Sequence, residues 1–235
     1  FNLFLSTKLS DKVSAVGETV FEFNDENEAV LDVERIEVNF SLSEYFNIKA
    51  GRMHSSLGFW NSEYHHGTWL HTTAFRPLLF NWEDESGIIP NHFVGLYTYG
   101  KKDLDILRLE YDLGVANGRG KIVDEVQNVS DANESKAYNL RLNLVPSFSS
   151  DLKLGTSLYY DQIPEDPTVP ARNGEITEFI YGGHIIYTGT KVEFLFELLN
   201  LLHDDKLSND KFNTLGLYIQ GAYRFGEVTP YYRFD

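Results

Sequence analysis

The chain has 235 residues, of which 42% are hydrophobic and 14% aromatic, and its formal net charge is −15 at pH 7. No run approaches the roughly 18 to 20 apolar residues of a membrane-spanning helix, which excludes a helical membrane protein. Cysteine is absent, which excludes disulfides, thiolate metal sites and cysteine nucleophiles. The acidic balance argues against a nucleic-acid partner, because phosphate binding needs clustered Lys and Arg. We expect one all-β domain over residues 1–235.

Segments with alternating apolar and polar residues follow one another and are joined by connections that are alternately short and long. The short connections are centred on Ser10-Asp11, Ser43-Glu44, Gly100-Lys101, Pro146-Ser147, Gly189 and Gly226-Glu227. The long ones cover 24–29, 54–91, 117–136, 161–175 and 203–213. Outer-membrane barrels have short turns on the periplasmic side and longer loops outside. The rhythm therefore predicts an antiparallel transmembrane β-barrel, with about 12 strands in this chain.

The alternation also assigns the two faces of each strand. Along residues 105–115, Leu109 and Leu113 share one face, whereas Arg108 and Glu110 share the other. A soluble β-sandwich alternates as well, but the recurring Arg and acidic residues on one face, with aromatic residues at strand ends, favour a membrane barrel. We predict that lipid contacts Leu107, Leu109, Leu140, Leu142, Leu217 and Ile219. The predicted lumen-facing residues are Lys49, Arg108, Glu110, Arg141 and Arg224. The apolar stretch 194–203 is predicted to be a strand.

The order of short and long connections also predicts how much of the barrel this chain holds. If the short turns face the periplasm, Phe1 lies at the outer end of its strand, and at least one strand is expected to precede it. The segment after Val228 begins a further outward strand. Because single-chain bacterial barrels have an even strand number, we expect about 14 to 16 strands in the full protein.

Several short motifs resemble those of Gram-negative porins. The segments are Ile48-Lys49-Ala50-Gly51-Arg52-Met53, Ser56-Leu57-Gly58-Phe59-Trp60-Asn61, Gly87-Ile88-Ile89-Pro90 and Pro230-Tyr231-Tyr232-Arg233-Phe234-Asp235. They are most similar to the family around the phosphate-selective porins O and P. This resemblance implies a trimeric, water-filled channel in the bacterial outer membrane, whose long third loop folds inward as the constriction. Residues 54–92 are the expected constriction loop.

The composition of this loop supports the same prediction. It holds all three tryptophans, and five of the seven histidines lie in or at the ends of 54–92. So many aromatic side chains need walls to pack against, and we expect Phe75, Leu78 and Leu79 to join the tryptophans in anchoring the loop. The predicted constriction residues are Arg52, Arg76, Glu83, Asp84 and Glu85. Because acidic groups at a narrow opening enrich cations, a weak cation preference is expected.

A metal site is an alternative use of the histidines. Imidazole is the commonest zinc and copper ligand, and His65, His66 and His71 are close in sequence. Hydrogen bonding within the folded loop is the competing explanation for these residues.

The function favoured by the sequence is passive diffusion of small hydrophilic solutes or ions through an outer-membrane porin. Its partners would be outer-membrane lipid and two further copies of the chain in a homotrimer, and neither a cofactor nor enzymatic activity is expected. Two alternatives stay open. One is a metal-binding or substrate-selective channel. The other is a barrel that acts as a structural partner or as a membrane enzyme, in which case His184 near Glu178 is the inward-facing pair that the alternation offers.

Overall fold

The computed structural model describes residues 1–23, 27–65, 67, 69–82, 85–121, 130–166, 168 and 174–235. The strands are β1 (Asn2–Lys8), β2 (Val13–Phe23), β3 (Ala29–Ser41), β4 (Asn47–His54), β5 (His92–Asp103), β6 (Leu107–Ala116), β7 (Ala137–Pro146), β8 (Leu152–Ile163), β9 (Ile176–Thr188), β10 (Val192–Asp205), β11 (Lys211–Tyr223) and β12 (Tyr231–Phe234). Between β4 and β5 lie a one-turn helix α1 (Trp60–Glu63) and a 3-10 turn (Leu78–Phe80). No helix in these ranges is long and apolar enough to cross a membrane.

All twelve strands form one antiparallel sheet in which each strand pairs with its neighbour in sequence. The predicted all-β architecture and strand number are thereby confirmed. Residues 194–203 lie within β10, as predicted. Within the described ranges no ladder joins β1 to β12, so the predicted closure of the sheet is not seen there. At that edge Arg233 of β12 instead donates hydrogen bonds to the carbonyl oxygens of Phe75 and Arg76, at 2.6 and 2.9 Å.

Two predicted connections are placed differently in the structure. Gly100 does not form a turn, because β5 continues to Asp103 and Gly100 pairs with Tyr111 of β6. The glycine instead allows the backbone of Tyr45 to approach closely, since a Cβ atom at position 100 would lie 2.1 Å from the Tyr45 carbonyl oxygen. The predicted loop 203–213 is shorter than expected, because β10 and β11 pair as far as Asp204 and Lys211.

Burial along the strands is reversed relative to a water-soluble protein. In β7, Asn139 and Asn143 are 1% and 2% exposed, whereas their neighbours Tyr138 and Leu144 are 53% and 39% exposed. The same holds across the sheet for outward apolar residues, which include Leu31, Ile36, Leu96, Leu113, Leu154, Ile185, Leu215 and Ile219. Such a continuous exposed apolar surface marks contact with a membrane or another protein.

The segment between β4 and β5 lies against the inner face of the sheet. Its backbone bonds to side chains of β7, β8 and β10, through Asn139, Ser157 and Glu197. The buried apolar core lies between this segment and the wall, and it contains Leu57, Phe59, Trp60, Leu79, Phe80 and Ile89 of the segment with Tyr97, Tyr159, Ile180, Leu195, Leu199 and Tyr218 of the strands. The sheet therefore curves around the segment, as predicted for an inward-folded loop. We call residues 55–91 the inner loop.

Candidate channel constriction

The inner loop is held to the wall by one buried carboxylate of β10. Glu197 is 1% exposed and accepts hydrogen bonds from the backbone N–H groups of Phe59 and Trp60, at 2.5 and 2.8 Å. The hydroxyl of Tyr218 on β11 donates a third, at 2.7 Å. The amides belong to the start of α1, where a helix leaves N–H groups without intrahelical partners. A carboxylate there satisfies these donors and fixes the position of the loop.

Gly58 allows the loop to approach Glu197 so closely. Its φ angle is +70°, a conformation that L side chains rarely adopt. A Cβ atom there would lie 2.5 Å from the ring of Phe80 and 2.6 Å from the Glu197 carboxylate. The Gly58-Phe59-Trp60 motif therefore has a structural reason: the glycine makes the turn, and the next two amides bind the carboxylate.

A second anchor holds the end of the inner loop. Arg119, from the connection after β6, donates a hydrogen bond to the carbonyl oxygen of Ile88 at 2.8 Å. Its Nε lies 3.2 Å from the carboxylate of Glu178 on β9, and its backbone N–H donates to Asp161 of β8 at 2.7 Å. The neighbouring Gly118 has a φ of +75°. The Gly-Arg-Gly motif at 118–120 is thus part of the loop's support.

Three cavities border the inner loop or the wall beside it. The largest, about 550 Å³, lies along β4 to β7 on the side of the short turns and is lined by Tyr99, Lys101, Glu110, Asp112 and Arg141 among others. A second, about 340 Å³, lies between the loop and β9 to β11. The third, about 260 Å³, separates the loop from β1 to β3. Tyr64 and Leu70 line both smaller cavities.

The third cavity has the smallest volume of the three. Charged side chains of both the wall and the loop line it. Its wall carries Glu18 and Arg35, whose side chains form an ion pair at 2.7 Å. Its loop side carries Glu63, with a side chain 41% exposed. Glu63 also lies 3.7 Å from Arg141, which pairs with Asp112 at 2.8 Å. Glu18, Arg35 and Glu63 line this cavity, whereas Asp112 and Arg141 line the 550 Å³ cavity. The five residues together have three carboxylates and two guanidinium groups. We call Glu18, Arg35, Glu63, Asp112 and Arg141 the charged ring.

Of the residues predicted to line the constriction, Arg52, Arg76 and Glu85 lie in the described part of the chain. Arg52 is buried, and its Nε donates to the carbonyl oxygen of Val33 at 2.6 Å. The guanidinium of Arg76 lies over the ring of Trp82. Glu85 is exposed, and Glu83 and Asp84 lie outside the described residues. Their role in a constriction stays a prediction.

The predicted lumen-facing residues share the polar side of the sheet. Lys49 lies over the rings of Tyr97 and Tyr99, at 5.5 and 5.4 Å. Glu110 pairs with Lys153 at 3.4 Å, and Arg141 belongs to the charged ring. Nearer the short turns, Arg108 pairs with Asp103 at 2.6 Å. Arg224 lines the second cavity.

The large apolar side chains of the inner loop divide into a buried set and an exposed set. Trp60, Leu79 and Phe80 are at most 3% exposed, whereas Trp69, Phe75 and Leu78 are 70% exposed or more. The expected anchoring by Trp69 was therefore wrong, and so was that by Phe75 and Leu78. Their apolar side chains lie near the β12 edge, where Leu78 N–H donates to Asp235 at 3.0 Å.

The histidines also separate into different groups. His71 contacts Trp60 and Tyr64, and burial lowers its pKa despite a hydrogen bond to the Thr73 carbonyl. Burial, with Glu193 and Glu63 nearby, raises the pKa of the Tyr64 hydroxyl. His65 is instead brought together with His54 and His92. His66 lies outside the described residues. His184 contacts Asn143 rather than Glu178, which pairs with Arg119 and His203.

Sequence reasoning missed Glu18, Arg35 and Glu197 as site residues. Arg35 and Glu197 were visible as polar positions on alternating strands, but alternation gives only the face and not the residue that the inner loop contacts. Glu18 was missed for the same reason, since the bulge beside it lies in the partner strand β3 and leaves the alternation of β2 unchanged.

No protein-family model matches this sequence, and no curated protein matches it. Among solved structures, the chain is similar to the OmpT loop L8 deletion mutant, an outer membrane protein of Vibrio cholerae, with 9% identity and a TM-score of 0.48 over 99% of this chain and 82% of that one. Outer-membrane expressed OmpT of the same organism gives 10% identity and a TM-score of 0.44 over 97% and 76%. At this level the likeness carries no argument about activity.

Proposed function

We propose that the protein is an outer-membrane channel for passive diffusion of small hydrophilic solutes or ions, with the inner loop as its constriction. The observation that carries the proposal is the reversed burial of the sheet. Apolar side chains cover the outer surface, as a lipid environment requires, and charged side chains line the cavities beside the loop. A water-filled lumen tolerates such charges, whereas the lipid face does not.

The inner loop supports the constriction part of the proposal. It is bonded to β7, β8 and β10 on one side and faces β1 to β3 across a cavity of about 260 Å³ on the other. A solute that moves along the lumen past the inner loop would therefore pass the charged ring.

The direct test is conductance of the purified protein in planar lipid bilayers. Because the chain has no cysteine, a single introduced cysteine is the one thiol that a thiol-specific reagent can modify. In Glu63→Cys, a charged methanethiosulfonate reagent should reduce single-channel conductance. In Ser208→Cys, on the exposed connection after β10, the same reagent should leave it unchanged.

The proposal would be overturned by a folded protein that does not conduct. It would also fail if modification of both thiols had equal effects, since Glu63 would then lie outside the passage. Folding is checked independently by the heat-dependent electrophoretic mobility and β-sheet circular dichroism of each variant.

The more specific sequence predictions stay predictions. They include a homotrimer, the absence of enzymatic activity and the likeness to phosphate-selective porins. The charged ring, in which carboxylates outnumber guanidinium groups, supports a weak cation preference rather than selection of phosphate.

A further inference from the structure

A cluster of three histidines and one glutamate joins the inner loop to the wall. His54 ends β4 and His92 begins β5, and the two residues are direct partners in the ladder. His65 lies just after α1, with its ring stacked on that of His54 at 3.5 Å. One ring nitrogen of each histidine lies within 4.8 Å of the others. We call His54, His65, His92 and Glu34 the histidine cluster.

Glu34 enters the cluster through the bulge in β3. Glu18 pairs with Arg35 and Thr19 pairs with Val33, so Glu34 is the extra residue between them. Bulges re-aim a side chain in this way. The Glu34 carboxylate lies 2.7 Å from Nε2 of His92 and 3.6 Å from Nε2 of His65. Glu34 and His65 are each 5% exposed.

The surrounding hydrogen bonds orient the His65 ring. The side-chain amide of Asn61 donates to the backbone oxygen and the hydroxyl of Ser55 and to the Asn91 carbonyl, at 3.0 to 3.1 Å. Its oxygen is therefore an acceptor, and it lies 2.9 Å from Nδ1 of His65. In the neutral ring Nδ1 therefore carries the proton, and Nε2, which faces Glu34, is the nitrogen that can bind a metal. Metal-binding histidines are typically oriented by such a second bond.

We propose that the histidine cluster binds one Zn²⁺ ion through His54, His65, His92 and Glu34. Three imidazoles and a carboxylate suit zinc, which prefers tetrahedral sites with N and O ligands. A zinc–nitrogen bond of about 2.0 to 2.1 Å places neighbouring ligands about 3.4 Å apart. The ring nitrogens of the three histidines now lie within 4.8 Å of one another, so the ion would draw them closer together. A cation there would also separate the Nε2 lone pair of His65 from the carboxylate that it faces.

The ion would connect three strands to the inner loop. Its ligands come from β3, β4, β5 and the segment after α1, and His54 and His65 also line the cavity that contains Glu63. Binding would hold the loop against its own supporting strands. The binding itself does not require that the protein be a channel, whereas an effect of zinc on conductance rests on the proposed function.

The test is calorimetric titration of the purified, EDTA-treated full chain with Zn²⁺ at pH 7.5. We expect one site, and His65→Ala, His92→Ala and Glu34→Gln should each weaken binding at least tenfold. His71→Gln, in the same loop but outside the cluster, should bind as the unmodified chain does. With Cu²⁺ as a spectroscopic probe, electron paramagnetic resonance should show nitrogen ligands that are lost in His65→Ala.

The site would be overturned by the absence of zinc binding in the folded unmodified chain. It would also be overturned by an equal loss of zinc affinity in His71→Gln, or by full zinc affinity in the variant that lacks all three cluster histidines. Variants are compared only after their electrophoretic mobility shows that they are folded. The proposal is also wrong if a folded His65→Ala variant retains the zinc affinity of the unmodified chain. Zinc binding by a chain that does not conduct would support the site and refute the channel.

Discussion

The strongest prediction concerns Glu197, the buried carboxylate that holds the start of the inner loop. In Glu197→Ala, the amides of Phe59 and Trp60 lose their acceptor. A hydrogen bond to a charged group contributes about 1.5 to 3 kcal/mol. Two such bonds give about 3 to 6 kcal/mol, and water that enters the vacated space replaces part of them. We expect the loop to be destabilised by about 2 to 4 kcal/mol, while the strand ladders remain.

Hydrogen exchange of the loop amides measures this effect directly. Because about 1.4 kcal/mol corresponds to a factor of ten, exchange at Phe59 and Trp60 should become about 30 to 700 times faster in Glu197→Ala. Exchange in the strands should change little, since local opening can be separate from global unfolding.

Ser157→Ala is the matched control. It removes one neutral hydrogen bond, from the Gly58 amide to the Ser157 hydroxyl at 3.1 Å, and should cost about 1 kcal/mol, or about fivefold in exchange. Unchanged protection of Phe59 and Trp60 in Glu197→Ala, or a uniform loss over the whole sheet, would refute the reasoning.

Three further predictions concern the outer face, the loop and the charged ring. Leu113→Arg places a charge on the apolar face, which costs about 2 to 4 kcal/mol near the bilayer midplane, and should therefore impair assembly. Glu110→Arg, on the cavity side, should assemble. Equal refolding yields of the two variants would contradict the face assignment. Because burial lowers the pKa of His71, the unfolded loop binds the proton more readily, so loop stability should fall as the pH drops below about 6.5. His71→Gln should remove that part of the pH dependence of exchange, and an unchanged profile would exclude His71. Glu63→Gln should shift the reversal potential in a salt gradient toward anions, more strongly at low salt; an unmodified channel that already prefers anions would contradict the charge argument.

The faces of the strands were predictable because side chains alternate with a period of exactly two residues. Leu113 and Leu144 on one side, with Asp112 and Asn143 on the other, follow from that period alone. The positions of turns were less certain. Glycine is common in turns, yet Gly100 lies within β5. Its lack of a side chain allows the Tyr45 backbone to pack against it.

The histidine cluster contains a different set of residues from the metal prediction, which relied on closeness in sequence. His65, His66 and His71 are neighbours in the loop, but His71 turns toward Trp60. An antiparallel pair of strands instead brings the two ends of a long connection together, so that His54 faces His92. That pairing was implicit in the predicted hairpin. The contribution of Glu34 was not, because a bulge changes the direction of a side chain without a clear signal in the sequence.

The contrast between two strands indicates which part of the lumen stays open. In β10 the inward residues Leu195, Leu199 and Leu201 are at most 1% exposed, and the inward Glu197 between them accepts hydrogen bonds from the loop amides. The inner loop therefore covers this part of the inner face of β10, where its apolar side chains join the same buried cluster. In β6 the inward residues include Glu110 and Asp112, which line the 550 Å³ cavity. The loop thus covers the β10 wall, and a path for water along the lumen would run from the 550 Å³ cavity at β4 to β7 to the 260 Å³ cavity at β1 to β3, past the charged ring.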